Sequence, residues 1–220
     1  KGVIRRKVDS IYKIQNDVKL NFLKNNYNSK VSVMHLFELA RFGDSTQKAE
    51  IKRFYLKIDT TYLNTLWGEG IKNYLNKVVP PAVGDKYVNF KAFDIENKSH
   101  QLSDYIGKYI LMDFWSTGCY PCIMSIPDMR KLSAQHLNDL VVIGMNLETE
   151  KKLWLEASEK DSITWINLSD GKGTYGGAGY IYGINGFPTY ILINQEGVIV
   201  EKWMGYWPGV FDEKLSLEEK

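Results

Sequence analysis

The sequence predicts an α/β domain, a mixed sheet flanked by helices, preceded by an all-helical region. Two uninterrupted apolar runs, 109–115 and 140–146, suit parallel strands covered on both faces. The segment between them, 123–137, reads as the helix of a right-handed crossover. Pro80-Pro81 separates all of this from a first third whose apolar residues recur at helical spacing. The expected boundaries are therefore 1–79 for a helical domain and 80–220 for the α/β domain.

Within 1–79, Ile4, Val8, Ile11, Gln15, Val18 and Phe22 form a heptad-like stripe with one polar member. That pattern predicts a long helix packed on a neighbour. The run Asn25-Asn26-Tyr27-Asn28-Ser29 breaks it. Val33, Leu36, Phe37 and Ala40 mark a second helix, stopped at Gly43. Asp44 or Ser45 can cap a third, which carries Ile51, Phe54, Tyr55 and Ile58. Thr60 or Thr61 can cap a fourth, with Leu63, Leu66, Trp67, Ile71, Tyr74, Leu75 and Val78 on one face. Aromatics at that spacing, Trp67 and Tyr74, are expected in the core. No catalytic constellation shows in this region.

Past residue 86 the period changes. Alternation over 87–93 predicts a strand, and Asp94-Ile95-Glu96-Asn97-Lys98 a turn. A short helical turn is expected at 102–106, a helix at 149–158 and a strand at 164–168. The last strands are 189–194 and 198–203, joined at Glu196-Gly197, and 210–217 reads as a closing helix. Gly171-Lys172-Gly173-Thr174-Tyr175-Gly176 spells G-x-G-x-x-G, but no long crossover helix follows it. A flexible loop beside the functional site is the expectation there.

Composition narrows the function. A chain of 220 residues, 44% hydrophobic with a net charge of +2, has enough apolar residues for a core and no basic excess for nucleic acid. The one basic cluster, Arg5-Arg6-Lys7, decorates a helix. No apolar run reaches the ~18 residues of a membrane span. With no initiator Met and no signal peptide, the chain is expected to be a trimmed or mature product.

The two cysteines stand three apart, in Cys119-Tyr120-Pro121-Cys122, between a buried strand with its turn and a helix. A thiol at a helix start is favoured as thiolate by free backbone N–H groups and the helix dipole. Thiolate is the nucleophile of disulfide exchange, and a second cysteine can resolve the mixed disulfide. A purely structural disulfide would close a very short loop and gain little. Half of a zinc site would need a second ligand pair, and His35, His100 and His136 are isolated. Cys119 is thus expected to attack. Cys122, one turn in, is expected to be buried with the higher pKa. Asp113 is costly inside an apolar strand unless paired or protonated. A raised pKa would let it take the Cys122 proton during resolution.

Asp113-Phe114-Trp115-Ser116-Thr117-Gly118-Cys119-Tyr120-Pro121-Cys122 resembles the active-site segment of thioredoxins. Pro127 matches the proline inside their active-site helix. Gly186-Phe187-Pro188-Thr189 resembles their cis-proline loop. Pro81-Ala82-Val83-Gly84-Asp85 and Leu102-Ser103-Asp104-Tyr105-Ile106-Gly107-Lys108 are similar to the opening of the TlpA/ResA type of thiol-disulfide oxidoreductase. The resemblance spans about 80–217 and implies a thioredoxin-like fold, with an insertion around 149–182. It implies an extracytoplasmic (periplasmic) enzyme acting on protein disulfides, in the reducing direction. Its partners would be protein thiol or disulfide substrates and an upstream electron-donor protein. No nucleic acid takes part, and any membrane anchor lies outside this chain. No metal or cofactor beyond the redox-active Cys119–Cys122 disulfide is implied. By the same resemblance Phe187 and Pro188 lie against the sulfurs, the Phe187 backbone pairs with a substrate strand, and Tyr120 and Trp115 line the substrate surface.

Departures from the family pattern fall close to the cysteines. Gly118 stands where a Trp is usual, and Tyr120 replaces part of that flat surface. Ser125 stands where many TlpA-type proteins have a glutamate, which leaves proton relay to Asp113. Gly144-Met145-Asn146 occupies the stretch where thioredoxins carry a lysine near the aspartate. Three other functions stay open at the level of sequence. They are a scaffold protein that holds a partner through its helical domain, a thiol peroxidase, and a copper-carrying thiol protein.

Overall fold

The computed structural model describes residues 2–42, 47–76, 79–135 and 139–215. The chain divides into two compact units, Lys1–Val78 and Val79–Lys220.

The first unit is helical: α1 (Gly2–Asn25), α2 (Lys30–Phe42), α3 (Lys48–Tyr55), α4 (Thr60–Leu63) and α5 (Leu66–Asn76). Its core is built from Leu20, Leu23, Val33, Leu36, Leu39, Ile51, Phe54 and Ile71. The heptad stripe expected on α1 is not its packing face. Ile11 is 56% exposed and Val18 64%. A helix of 24 residues runs ~36 Å and one of 13 runs ~20 Å. The neighbour α2 therefore covers only part of α1, and the buried contacts are Leu20 and Leu23 near its C-terminal end. The Ile4 and Val8 side chains lie outside the described residues, as do Gly43, Asp44, Ser45 and Val78.

The single fourth helix expected from Thr60 is two. Asp59, not Thr60 or Thr61, caps α4 by accepting the Thr61 N–H at 2.8 Å. Thr65 caps α5 by accepting the Gly68 N–H at 3.2 Å. The chain folds back so tightly between them that a Cβ on Gly68 would run into the Leu63 carbonyl. Trp67 and Tyr74 are half-buried rather than core. Each lies under a lysine, Lys30 at 5.8 Å and Lys48 at 5.5 Å from the ring centres.

The second unit is one seven-stranded mixed sheet. Its strands are β1 (Lys91–Phe93), β2 (Ser99–Gln101), β3 (Tyr109–Trp115), β4 (Leu140–Asn146), β5 (Ile166–Ser169), β6 (Thr189–Ile193) and β7 (Ile199–Met204). Helices α6 (Tyr120–Gln135), α7 (Lys151–Lys160), α8 (Gly177–Ile181) and α9 (Val210–Lys214) connect and cover them. The strand order is β2-β1-β5-β4-β3-β6-β7. β3, β4 and β5 run parallel, and the other pairings are antiparallel. This is the thioredoxin-like arrangement.

β3 has both faces buried, as its unbroken apolar run requires. Ile110, Met112 and Phe114 enter one core with Ile143, Met145, Ile191 and Tyr182. Leu111 enters the other with Met129 of α6, Tyr190, Trp203 and Phe211.

The strand expected over 87–93 shrinks to three residues, because 87–88 finds other partners. The Tyr87 N–H binds the Gly197 carbonyl, and the Tyr182 hydroxyl bridges the N–H and C=O of Val88. The hairpin partner β2 is polar and went unpredicted. The expected helical turn is a 3-10 turn, Leu102–Tyr105, with Gln101 and Asp104 forming a capping box.

Gly68→Ala is expected to lower the stability of the first unit by ~1–3 kcal/mol, the cost of forcing atoms into a filled place. Urea unfolding followed by far-UV circular dichroism measures it, and an unchanged midpoint would contradict the tight α4–α5 junction.

Candidate functional site

Cys119 and Cys122 form a disulfide with a Cα–Cα distance of 5.3 Å. Helix α6 starts at Tyr120, so Cys119 occupies the cap position. Its Sγ accepts the backbone N–H of Cys122 at 3.3 Å. Its carbonyl accepts the N–H of Ile123 at 3.1 Å. A sulfur here does what a capping serine oxygen does, and gains most when it is anionic. Cys119 is half-buried, whereas Cys122 is only 5% exposed. Pro121 costs nothing in the first turn. Pro127, inside α6, has no N–H for the Ile123 carbonyl.

The turn before Cys119 is tied down by a residue that the sequence did not suggest. Glu148, just past β4, accepts from the Ser116 hydroxyl at 2.7 Å and from the Thr117 N–H at 3.0 Å. Its own N–H binds Asn146 Oδ1 at 2.9 Å. No motif flags a lone glutamate after a strand; only the parallel pairing of β3 with β4 brings it to the turn.

The Phe187–Pro188 bond is cis. Phe187 is half-buried and packs on the cluster that holds Cys119, Cys122, Trp115 and Trp154. Tyr120 is 69% exposed at the rim. Trp115 needs correction as a substrate-contacting residue. It points inward from β3, is 4% exposed, and supports the cysteine pair from below.

Asp113 is 4% exposed, and its Oδ1 has no hydrogen-bond partner among the described residues. Its neighbours in register are Gly144 and Tyr190. Burial pushes its carboxyl up to about 7. Burial, then the Asp113 charge, pushes the Tyr190 hydroxyl up as well. Cys122 and Ser125 are the buried residues at the start of α6; Cys122 packs with Trp115, and Ser125 binds the Cys122 carbonyl at 2.7 Å. The arrangement therefore stacks an accessible sulfur, a buried sulfur and a buried carboxyl of raised pKa on one side of the sheet.

The glycine-rich loop 171–176 leads into a helix of five residues, α8. Asp170 fastens it, accepting from the N–H groups of Lys172 and Ala178. His100 lies between Asp94 and Tyr105, and His35 beside Glu38; His136 is outside the described residues. Among the described residues no group of three His, Cys, Asp or Glu could hold a metal ion, and no helix is long and apolar enough to cross a membrane.

The family profile described as Redoxin matches residues 82–214. The thioredoxin-like protein YneN of Bacillus subtilis is 28% identical over 152 residues, covering 67% of this chain and 86% of that protein. The thiol-disulfide oxidoreductase ResA of Halalkalibacterium halodurans is 31% identical over 124 residues, 56% of this chain and 68% of that protein. The solved thioredoxin domain of a thiol-disulfide oxidoreductase from Bacteroides vulgatus overlays with a TM-score of 0.54 at 28% identity. It covers 63% of this chain and 97% of that one.

Asp113 sets a pH dependence of stability. In the native state it keeps its proton up to about pH 7, while the unfolded chain releases it near 3.8. The native state binds the extra proton in between, so stability falls as pH rises through that window. About three pH units at ~1.4 kcal/mol each make the loss on the order of 4 kcal/mol. Asp113→Asn is expected to remove that slope, so that its advantage over the parent grows from pH 4 to pH 7 and then levels off. Unfolding midpoints in urea across pH 4–8 test this; parallel curves for the two proteins would contradict it.

Proposed function

Since the chain belongs to the Redoxin family, as a thiol-disulfide oxidoreductase, we propose that Cys119 and Cys122 are its redox pair and reduce protein disulfides outside the cytoplasm. The observation that carries this reading is the unlike environment of the two sulfurs. One caps a helix at the surface and accepts a backbone N–H; the other is buried. The same reading takes 1–79 as a helical domain apart from the redox domain, 80–220.

In the reduced protein the Cys119 thiolate attacks one sulfur of the substrate disulfide. An S–S bond forms to Cys119, the substrate bond breaks, and one substrate thiolate leaves. Cys122 then loses its proton to the Asp113 carboxylate and attacks Cys119 Sγ. The intramolecular disulfide closes and the second substrate thiolate leaves, so two electrons have passed to the substrate. A dithiol donor protein returns the pair to the reduced state. The Phe187–Pro188 loop, against the cysteine cluster, offers backbone for an extended substrate segment, with Tyr120 at the rim.

The reading as a reductase is supported by a thiolate with no cationic partner in its own segment. The segment 113–125 holds no Lys, Arg or His, so the anion relies on backbone dipoles. A dithiol without strong thiolate stabilisation gives up its electrons readily. The two cysteines of the sequence, with no third to mispair, are compatible with an oxidising compartment.

Three measurements test the reading. The Cys119–Cys122 reduction potential is expected near the ~−270 mV of a reductant; a value near ~−120 mV would make the protein an oxidant. Cys122→Ala is expected to trap substrate proteins as mixed disulfides through Cys119, and failure to trap any from an extracytoplasmic extract would favour a scaffold. Asp113→Asn is expected to slow the resolving step by ~10²–10⁴-fold while leaving the first attack intact. Single-turnover kinetics with a small disulfide separate the two steps, and an unchanged resolution rate would remove Asp113 from the mechanism.

A further inference from the structure

Strand β5 lies inside the sheet by order, but it is not covered along its whole length. β4 pairs with it from Ile166 to Ser169, whereas β1 reaches it at one position, Phe93 opposite Ser169. At Asp94 the chain already turns back toward β2, the Asp94 N–H binding the Lys98 carbonyl at 3.0 Å. Among the described residues the outer backbone edge of 166–168 therefore has no strand beside it. An uncovered edge offers its N–H and C=O groups to another chain. The space beside this edge is a groove of about 700 Å³, within the size range of ligand sites. The hairpin tip, 94–96, lines one side, and the end of α7 with 162–165 lines the other.

The chemistry of the groove selects its occupant. Much of the lining is apolar: Leu155, Ile163, Trp165 and Ile166 are half-buried, and Ile95 is 51% exposed. The buried polar side chains of the lining are already paired. Asn167 donates to Ser158 Oγ at 2.8 Å and accepts from Trp154 Nε1 at 3.2 Å. The Ser158 hydroxyl binds the Trp154 carbonyl at 2.7 Å. A small polar ligand would find few free groups there. Asp94, Glu96 and Glu159 also line the groove, and no Lys or Arg does. The His100 hydrogen bond holds the Asp94 carboxyl below its ordinary value, so that charge persists. The three carboxylates are not grouped to hold a metal ion. Spread negative charge beside an apolar lining and an open strand edge suits an extended chain in which basic and apolar residues alternate.

We propose that this groove docks an extended, basic segment of the disulfide-bearing substrate protein, which adds a strand to β5 and sets lysine or arginine side chains against Asp94, Glu96 and Glu159. The identity of the occupant rests on the reading of the chain as a reductase of protein disulfides; the binding of a basic strand does not. Leu155 and Ile163 belong both to the groove and to the packing around Cys119 and Cys122. The docked segment is thus held on the same packed body as the redox pair. The groove is separate from the Phe187–Pro188 loop, neither residue of which lines it. Main-chain bonds to the edge supply affinity, and the carboxylates supply selection. Holding the substrate at a second place raises the effective concentration of its disulfide at Cys119.

A cysteine-free peptide in which lysine and valine alternate is the probe, titrated into the nitrogen-labelled full chain and followed by nuclear magnetic resonance. Amide shifts are expected at 94–100 and 163–168. A peptide with glutamate in place of lysine, and one N-methylated along its backbone, are expected not to bind. Glu96→Lys combined with Glu159→Lys, both at exposed positions, is expected to weaken binding ~tenfold with a native-like amide spectrum, and added salt is expected to weaken binding to the parent. In turnover, a disulfide tethered to the lysine–valine segment is expected to be reduced with a kcat/KM ~tenfold above that of the untethered disulfide. The double variant is expected to lose that gain and to reduce the small disulfide as fast as the parent. No shifts, shifts elsewhere, equal binding of the glutamate peptide, or unchanged binding in the double variant overturn the docking site. Equal binding of the N-methylated peptide overturns strand addition. Binding in the groove with no gain for the tethered disulfide overturns the substrate as occupant. If the parent reduces no disulfide at all, the reductase reading and the substrate assignment fail together, while the peptide titration still decides the groove.

Discussion

Everything at the cysteine pair depends on β3 being buried on both faces. A strand in that position must send alternate side chains into two separate cores. Ile110, Met112 and Phe114 go one way; Leu111, Asp113 and Trp115 go the other. A carboxyl in such a strand cannot reach water, so its charge is penalised by position alone. The strand then ends beneath the start of α6, which brings that carboxyl and the Trp115 ring to the side where the cysteines lie. The raised pKa of Asp113 and the support under Cys122 are two results of one constraint.

The two sulfurs differ because a helix start has an outside and an inside. Cys119 stands before the first turn, where backbone N–H groups lack partners. Cys122 is within that turn and faces the sheet. A spacing of three residues gives both conditions at once, since it spans the change from cap to first buried position. The geometry still needs the turn to be fixed. Glu148 does that from the next strand, holding Ser116 and Thr117 through a single carboxylate oxygen. The parallel pairing of β3 and β4 is thus what places the cap.

Sequence reading succeeded where one local pattern dominates. The runs 109–115 and 140–146 are too apolar for any exposed element, and the observed strands have those bounds. It faltered where the partner decides. Tyr87 and Val88 alternate like a strand, yet Gly197 and Tyr182, about a hundred residues away, take their backbone groups. Ser99-His100-Gln101 carries no apolar residue, but an edge strand needs none on its open side. The α1 stripe has sound periodicity and the wrong neighbour, because the length of α2 is not written in α1. At the site itself, the cysteines, Asp113 and Pro188 were legible as residue types in a pattern. Glu148 was not, since it matters only through the turn that folding sets beside it.

The neighbours of Asp113 in register set the terms on which a costly carboxyl is held. A buried lysine beside Asp113 would neutralise its charge and hold its pKa down. Gly144, its neighbour in register, supplies no charge, and burial alone raises the Asp113 carboxyl. With its carboxyl pushed up to about 7 by burial, Asp113 stands near the point where it can both hold and release a proton at neutral pH. An apolar side chain at 113 would remove the stability cost and the titratable carboxyl together. The buried carboxyl at 113 is therefore a compromise between a dry core and a titratable one.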